Sequence, residues 1–163
     1  MIGPDINRLQ KDLDEVKRMH DVEVTFPDED DITTFIVKTQ VHCGQYRDTW
    51  FQFKFVITPN WRNSPPDVKI LDKIWHPNIE LVKDGDPKTG RVCVSTLGET
   101  TYRGTTRLEE IVVSLQYILI ALNPSNALNV PAATEQNKDY EAFKKRVADY
   151  IDDMKSNEND EKL

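Results

Sequence analysis

The chain has 163 residues, 38% hydrophobic and 30% charged, enough for one compact domain that buries a core without metals or disulfides. Its 28 acids against 21 bases leave a net charge of −7, which argues against nucleic acid as the main partner, because a phosphate-binding face must be basic and the bases here are interspersed with acids. The two cysteines, Cys43 and Cys93, lie too far apart to suggest a disulfide framework, and no stretch has the length and apolarity of a signal peptide or membrane span; the reading is a cytoplasmic or nuclear protein with free thiols and no membrane partner.

In chain order, Asp5 to Met19 sets Ile6, Leu9, Leu13 and Val16 three and four apart, one apolar stripe of an opening helix whose other face carries Asn7, Arg8, Lys11, Lys17 and Arg18. Such a basic face is ordinarily just solvated. Alternating runs follow: Val22, Val24 and Phe26; Phe35, Val37, Thr39 and Val41; Phe51, Phe53, Phe55 and Ile57. Their period of two predicts half-buried antiparallel strands, and the short links FPDEDD and CGQYRD predict a meander. PNWRNSPPDVKIL ends the third strand and gives a short fourth, Val68 to Leu71.

After a WHPN turn and Cys93, the run TTRLEEIVVSLQYILIAL predicts the main helix. Thr106 with Glu109 fits a capping box, and Leu108, Ile111, Val112, Leu115, Ile118, Leu119 and Leu122 form a broad apolar face that should pack across the sheet. NPSNALNVPAATEQN reads as a loop running into a short helix, and a last helix puts Tyr140, Phe143, Val147, Tyr150 and Ile151 on one side. A single domain over 1–155 with a disordered polar tail over 156–163 is the expected organisation. The fold class is α+β: N-terminal helix, four-stranded antiparallel meander, long loop, central crossing helix and C-terminal helices.

Taken alone, a free cysteine is most often a small buried hydrophobe, and Cys43, at a strand end, reads as structural. His20, His42 and His76 with two scattered cysteines match no metal-ligand spacing, so no metal is expected. Cys93 has more context. KIWHPNI, then Cys93 with an apolar residue and STL after it, then the apolar helix ending in NPSNALNVPAA, together resemble the catalytic core of the ubiquitin-conjugating enzyme family, from about Asp5 to about Ile151. The family's mark is a His-Pro-Asn turn shortly before the active cysteine.

The resemblance implies that Cys93 holds a modifier's C-terminal glycine as a thioester and presents it to a lysine amine, a reaction that needs a nucleophile, an oxyanion stabiliser and a dehydrating wall but no strong base. It implies that Asn78 either donates to the oxyanion or braces the loop over the thioester, and that His76 and Pro77 fix the turn. A histidine before proline is better placed to bond backbone than to act as a base. Implied partners are a ubiquitin-like modifier, its activating enzyme, a ligase and a lysine-bearing substrate. ATP is used by the activating enzyme, so no cofactor is expected here.

Several positions depart from the family's pattern. Cys93 lies 15 residues after Asn78, roughly twice the family's usual interval, with LVKDGDPKTG as the surplus, expected to bulge beside the thiol. Tyr102 and Gly104 stand where tryptophan and proline are common, and Asn126 where many members place an aspartate beside the thioester. Asn63 and Thr105 replace the apolar ligase contacts of two exposed loops. KIWHPNI, GTTRLEEIVVSL, NALNVPAA and FPDEDDITTF look most like the branch that conjugates the Nedd-type modifier to cullins. That branch usually carries an N-terminal extension that docks its activating enzyme; here Asn7, Arg8 and Lys11 are the expected contact. Alternatives are a ubiquitin-conjugating enzyme, a non-catalytic variant of the fold acting as a binding module, and a Cys-His-Asn thiol hydrolase.

Overall fold

The computed structural model describes residues 3–61 and 63–161. Along the chain run α1 (Ile6–Lys17), β1 (Val22–Thr25), β2 (Thr34–Thr39), β3 (Phe51–Val56), β4 (Asp67–Ile70), α2 (Leu108–Ile118), α3 (Val130–Lys138) and α4 (Tyr140–Glu161), with single 3₁₀ turns at Ser95–Leu97 and Pro124–Asn126. The strands form one antiparallel sheet in the order β1-β2-β3-β4, the meander that the alternation predicts. Pairing Phe35 with Phe55, Val37 with Phe53 and Thr39 with Phe51 aligns the apolar positions of β2 and β3 on one face. All six of these side chains are fully buried, and the Phe35 and Phe55 rings stack with centroids 5.1 Å apart.

On this face lies α2, whose Leu108, Ile111, Val112, Leu115 and Ile118 are buried, while Val113 and Tyr117 remain on the outer side. Its start differs from the expected capping box. Helix geometry begins at Leu108, the Glu110 carboxylate accepts the Arg107 N–H at 3.3 Å, and the Asp12 carboxylate of α1 accepts the Leu108 N–H at 3.2 Å. Asp12 is buried, and that burial raises its pKa above the ordinary carboxylate value. An acid from a neighbouring helix thus caps α2 where the dipole is positive. The same arrangement corrects the α1 stripe: Leu9, Leu13 and Val16 are buried with Asp12, whereas Ile6 is exposed.

The inserted segment does not bulge beside the thiol. It folds into a hairpin whose arms meet at Ile79–Val92 and Glu80–Arg91, and the Ile70 N–H of β4 donates to the Gly90 carbonyl at 2.9 Å. Gly90 has φ +94°, and a Cβ there would sit 2.5 Å from the Ile70 oxygen, so only glycine permits this approach. Lys73 reaches across to Asp84 at 2.9 Å. The surplus residues therefore extend the β4 edge of the sheet.

Cys43, expected to be structural, is exposed. Residues 156–161, expected to be disordered, continue α4, and positions 162–163 lie outside the described residues. The helix is anchored earlier: Phe143 and Val147 are buried, Tyr150 stacks on Trp75 with centroids 5.7 Å apart, and Met154 packs against the core. Each further residue then adds a hydrogen bond without a new nucleation cost, so polar composition does not end the helix.

Candidate active site

Around Cys93 the backbone alternates. Val92 and Val94 pack against the core and Cys93, between them, faces solvent. Its N–H donates to the Asn78 carbonyl at 3.0 Å, which fixes the thiol-bearing backbone against the His-Pro-Asn turn. The buried-hydrophobe reading of this cysteine fails on its exposure.

The turn is a junction of four segments. His76 is fully buried, stacks on Tyr46 with centroids 5.0 Å apart, donates from Nε2 to the Ile118 carbonyl at 2.7 Å and accepts the Asn78 N–H on Nδ1 at 2.9 Å. It thereby satisfies a carbonyl at the C-terminal end of α2. The Pro77 carbonyl accepts the N–H groups of Leu128 and Asn129 at 2.9 and 3.0 Å. The Asn78 side chain, 3% exposed, donates from Nδ2 to the carbonyls of Asn123 at 2.6 Å and Asn126 at 3.1 Å, and accepts the Asn123 N–H on Oδ1 at 2.9 Å. Both Nδ2 hydrogens are spent on the 123–126 loop, so this geometry realises the bracing role of Asn78 and leaves no donor for an oxyanion.

Burial lowers the His76 pKa to about 4, and both ring nitrogens are occupied. A neutral imidazole with no free nitrogen cannot serve Cys93 as a base, which removes the thiol-hydrolase alternative. Stability responds accordingly. Below about pH 6.5 the unfolded chain takes up a proton that the native imidazole refuses until about pH 4, so this group's contribution is present above pH 6.5 and is lost as pH falls through that window. The loss amounts to about 3 kcal/mol. Asp72, raised to about 6 by burial, works in the opposite sense over nearly the same range, so the useful quantity is a difference in which it cancels. The stability deficit of His76→Gln relative to wild type should shrink by about 3 kcal/mol between pH 7 and pH 4 in denaturant titrations; a constant deficit contradicts the buried neutral ring.

Asn126 sits at the end of the braced loop with its side chain exposed, on the segment held by Asn78. Tyr102 belongs to a different cluster. Its hydroxyl donates to the Trp61 carbonyl at 2.9 Å, while Arg8 lies over the Trp61 ring at 4.2 Å and donates to the Thr106 carbonyl at 2.8 Å. Arg8 is therefore a staple of the fold and not a free base of the α1 surface. Through its contacts with Trp61 and Thr106, Arg8 brings together the chain neighbourhoods of the exposed Asn7 and Lys11 of α1, of Asn63 and of Thr105.

Two residues escaped the sequence reading. Asn123 supplies two of the three backbone groups that grip the Asn78 side chain, and Asn129, 7% exposed, caps α3 by accepting the Ala132 N–H at 3.1 Å. An asparagine two residues before a proline that opens a helix is a legible N-cap signal. Among the described residues, no group of three or more His, Cys, Asp or Glu is arranged to hold a metal.

A rigidly held, solvent-facing thiol beside a braced loop, on an α+β meander crossed by one helix, defines a thiol site suited to carrying an acyl group and handing it to an outside nucleophile. The chain belongs to the ubiquitin-conjugating enzyme family, whose model matches residues 8–151. The NEDD8-conjugating enzyme UBC12 of Yarrowia lipolytica is 34% identical over 140 residues, covering 86% of this chain and 74% of its own length. Human NEDD8-conjugating enzyme UBE2F is 36% identical over 135 residues, covering 79% and 69%. The structure of Saccharomyces cerevisiae Ubc12 matches with a TM-score of 0.75 at 25% identity, over 91% of this chain and 77% of that one. A ubiquitin conjugating enzyme E2 domain of Toxoplasma gondii matches at 0.77 with 21% identity, over 91% and 97%, a likeness of fold.

Proposed function

We propose that this chain conjugates a NEDD8-type modifier. Cys93 takes the modifier's C-terminal glycine from the activating enzyme, which uses the ATP, as a thioester. A substrate lysine attacks the carbonyl, the tetrahedral intermediate expels the Cys93 thiolate, and the amine's proton is lost to solvent. The observation that carries this reading is the exposed Cys93 thiol tied through Asn78 to the 123–126 loop. The similarity to UBC12 and UBE2F supports the choice of modifier. The Asn126 amide, exposed on the loop that Asn78 holds, is assigned by the family resemblance to accept a hydrogen bond from the incoming amine, without the negative charge of an aspartate, and a cullin is the acceptor that the branch resemblance suggests. No cofactor is assigned to the chain, and cytoplasm or nucleus is the proposed location. The test is incubation with modifier, activating enzyme and ATP: a reductant-sensitive adduct, absent without ATP, is expected, and a chain that keeps its own mass refutes the reading.

Activating enzyme and ligase are assigned to the end formed by Asn7, Lys11, Asn63 and Thr105. Lys11→Glu should slow loading at low salt, with the deficit shrinking as salt rises, because exposed charges act chiefly on association rate. Arg8→Glu should instead cost about 2–3 kcal/mol of stability, through the lost ring and carbonyl contacts. Stopped-flow loading and denaturant midpoints separate the two effects; equal loading by Lys11→Glu at every salt concentration contradicts the assignment.

A further inference from the structure

The helical continuation of α4 and the inserted hairpin, both unexpected, wall a groove of about 820 Å³. Its apolar surface comes from Leu71, 42% exposed, with Leu81, Val82, Tyr150 and Met154. Along the α4 wall, Asp149 and Asp153, one turn apart, and farther along Glu158 and Glu161 line the groove, and Asp72 stands opposite, accepting the Gln52 N–H at 2.7 Å. The groove's two bases are already engaged, Lys73 with Asp84 at 2.9 Å and Arg146 with Glu135 at 3.1 Å. Among the described residues, no ion pair reaches Asp72 or the four acids of α4. Burial raises the Asp72 pKa to about 6 against the lowering effect of the Gln52 N–H, with Glu158 adding to the rise and Lys38 opposing it.

We infer that this groove docks a basic segment of the acceptor protein, bearing Lys or Arg and an apolar anchor, on one side of the lysine to be modified. The inference rests on the function proposed above. Asp149 to Glu161 spans about 18 Å of helix, the length of five or six extended residues, so the complement is a peptide rather than an ion. A second copy of this chain, with its net charge of −7, is repelled by the same acids. One edge of the groove lies close to the thiol site along the chain: Leu81 lines the groove and is three residues from Asn78, whose carbonyl holds the Cys93 N–H, so at most about 10 Å of extended chain separates Leu81 from Asn78. A segment seated in the groove can therefore place a lysine a few residues away at the thioester.

Two fluorescent peptides test this, each with one lysine and, three to six residues away, a leucine with either three arginines or three alanines. Anisotropy with the unloaded chain should show the arginine peptide bound at least about tenfold more tightly, a preference that fades with salt and is lost in Asp149→Lys/Asp153→Lys. Asp149→Asn/Asp153→Asn, of unchanged shape, should lose part of it. With pre-loaded enzyme, charge reversal should slow discharge to the arginine peptide about tenfold while loading and discharge to free lysine stay at wild-type rates. Equal binding of the two peptides overturns the inference, as does binding that is lost without any change in discharge to the peptide, or an equal slowing of discharge to free lysine. Failure of wild type to form an adduct refutes the conjugating reading itself, and the anisotropy still reports on the groove.

Discussion

Cys93→Ser should convert the adduct from a thioester to an oxygen ester: the reductant-sensitive band disappears, and an ATP-dependent species that resists thiols but yields to hydroxylamine or base takes its place. Serine preserves the backbone placement that the Asn78 carbonyl enforces. Only the nucleophilic atom and its leaving-group ability change, and an alkoxide is a far poorer leaving group than a thiolate, so transfer to lysine should stop. Cys43→Ser should load and discharge as wild type does, since Cys43 shares exposure with Cys93 but, among the described residues, makes no backbone hydrogen bond to the turn like that of Cys93. Intact mass before and after dithiothreitol and hydroxylamine reads each outcome. A reductant-sensitive adduct at full yield on Cys93→Ser would place the linkage elsewhere.

Asn78→Ala should load at near wild-type speed and discharge to free lysine about a hundredfold more slowly, the cost of letting a positioning segment drift by about an ångström. On the proposed function the activating enzyme is engaged during loading, whereas during discharge to free lysine this chain must hold the 123–126 loop by itself. Because the side chain makes three buried hydrogen bonds to that loop, its loss leaves the Asn123 N–H and two carbonyls without partners. About 1–3 kcal/mol of stability should go with it, together with hydrogen-exchange protection of the Asn123 amide. Asn78→Asp keeps the acceptor for Asn123 but turns a carboxylate on two carbonyl oxygens, and should do no better. A purely oxyanion-donating asparagine predicts the slow discharge without the loss of stability or protection. Unchanged discharge would remove Asn78 from the reaction.

The contrast between Arg8 and Asn78 shows what a sequence can and cannot carry here. The inward faces of the strands and the buried face of α2 were legible because their periods of 2 and 3.6 are local properties of the chain. Cys93 was legible through its setting, since the His-Pro-Asn turn lies 15 residues before it and a short strand pairing joins them. Which of two roles Asn78 plays depends on carbonyls 45 and 48 residues away, and Arg8 looked like a solvated base because its partner carbonyl is 98 residues distant. No spacing rule reports such contacts. Asp12 was passed over for the same reason: an acid on an apolar stripe makes sense only once the start of α2 lies against it. The insertion and the end of α4 were misplaced because polar composition marks contact with water but does not distinguish a loop from a hairpin or a solvated helix.

The most direct test of the account is competition for Cys93. With both activating enzymes and ATP present, equal concentrations of the NEDD8-type modifier and ubiquitin are offered to wild type and to Cys93→Ala, and the mass of the adduct is read after a single turnover. The account predicts a thioester of the NEDD8-type modifier on wild type, in excess over ubiquitin, and none on Cys93→Ala. Faster loading of ubiquitin would contradict the assignment of the modifier, and loading of Cys93→Ala with either would contradict the site.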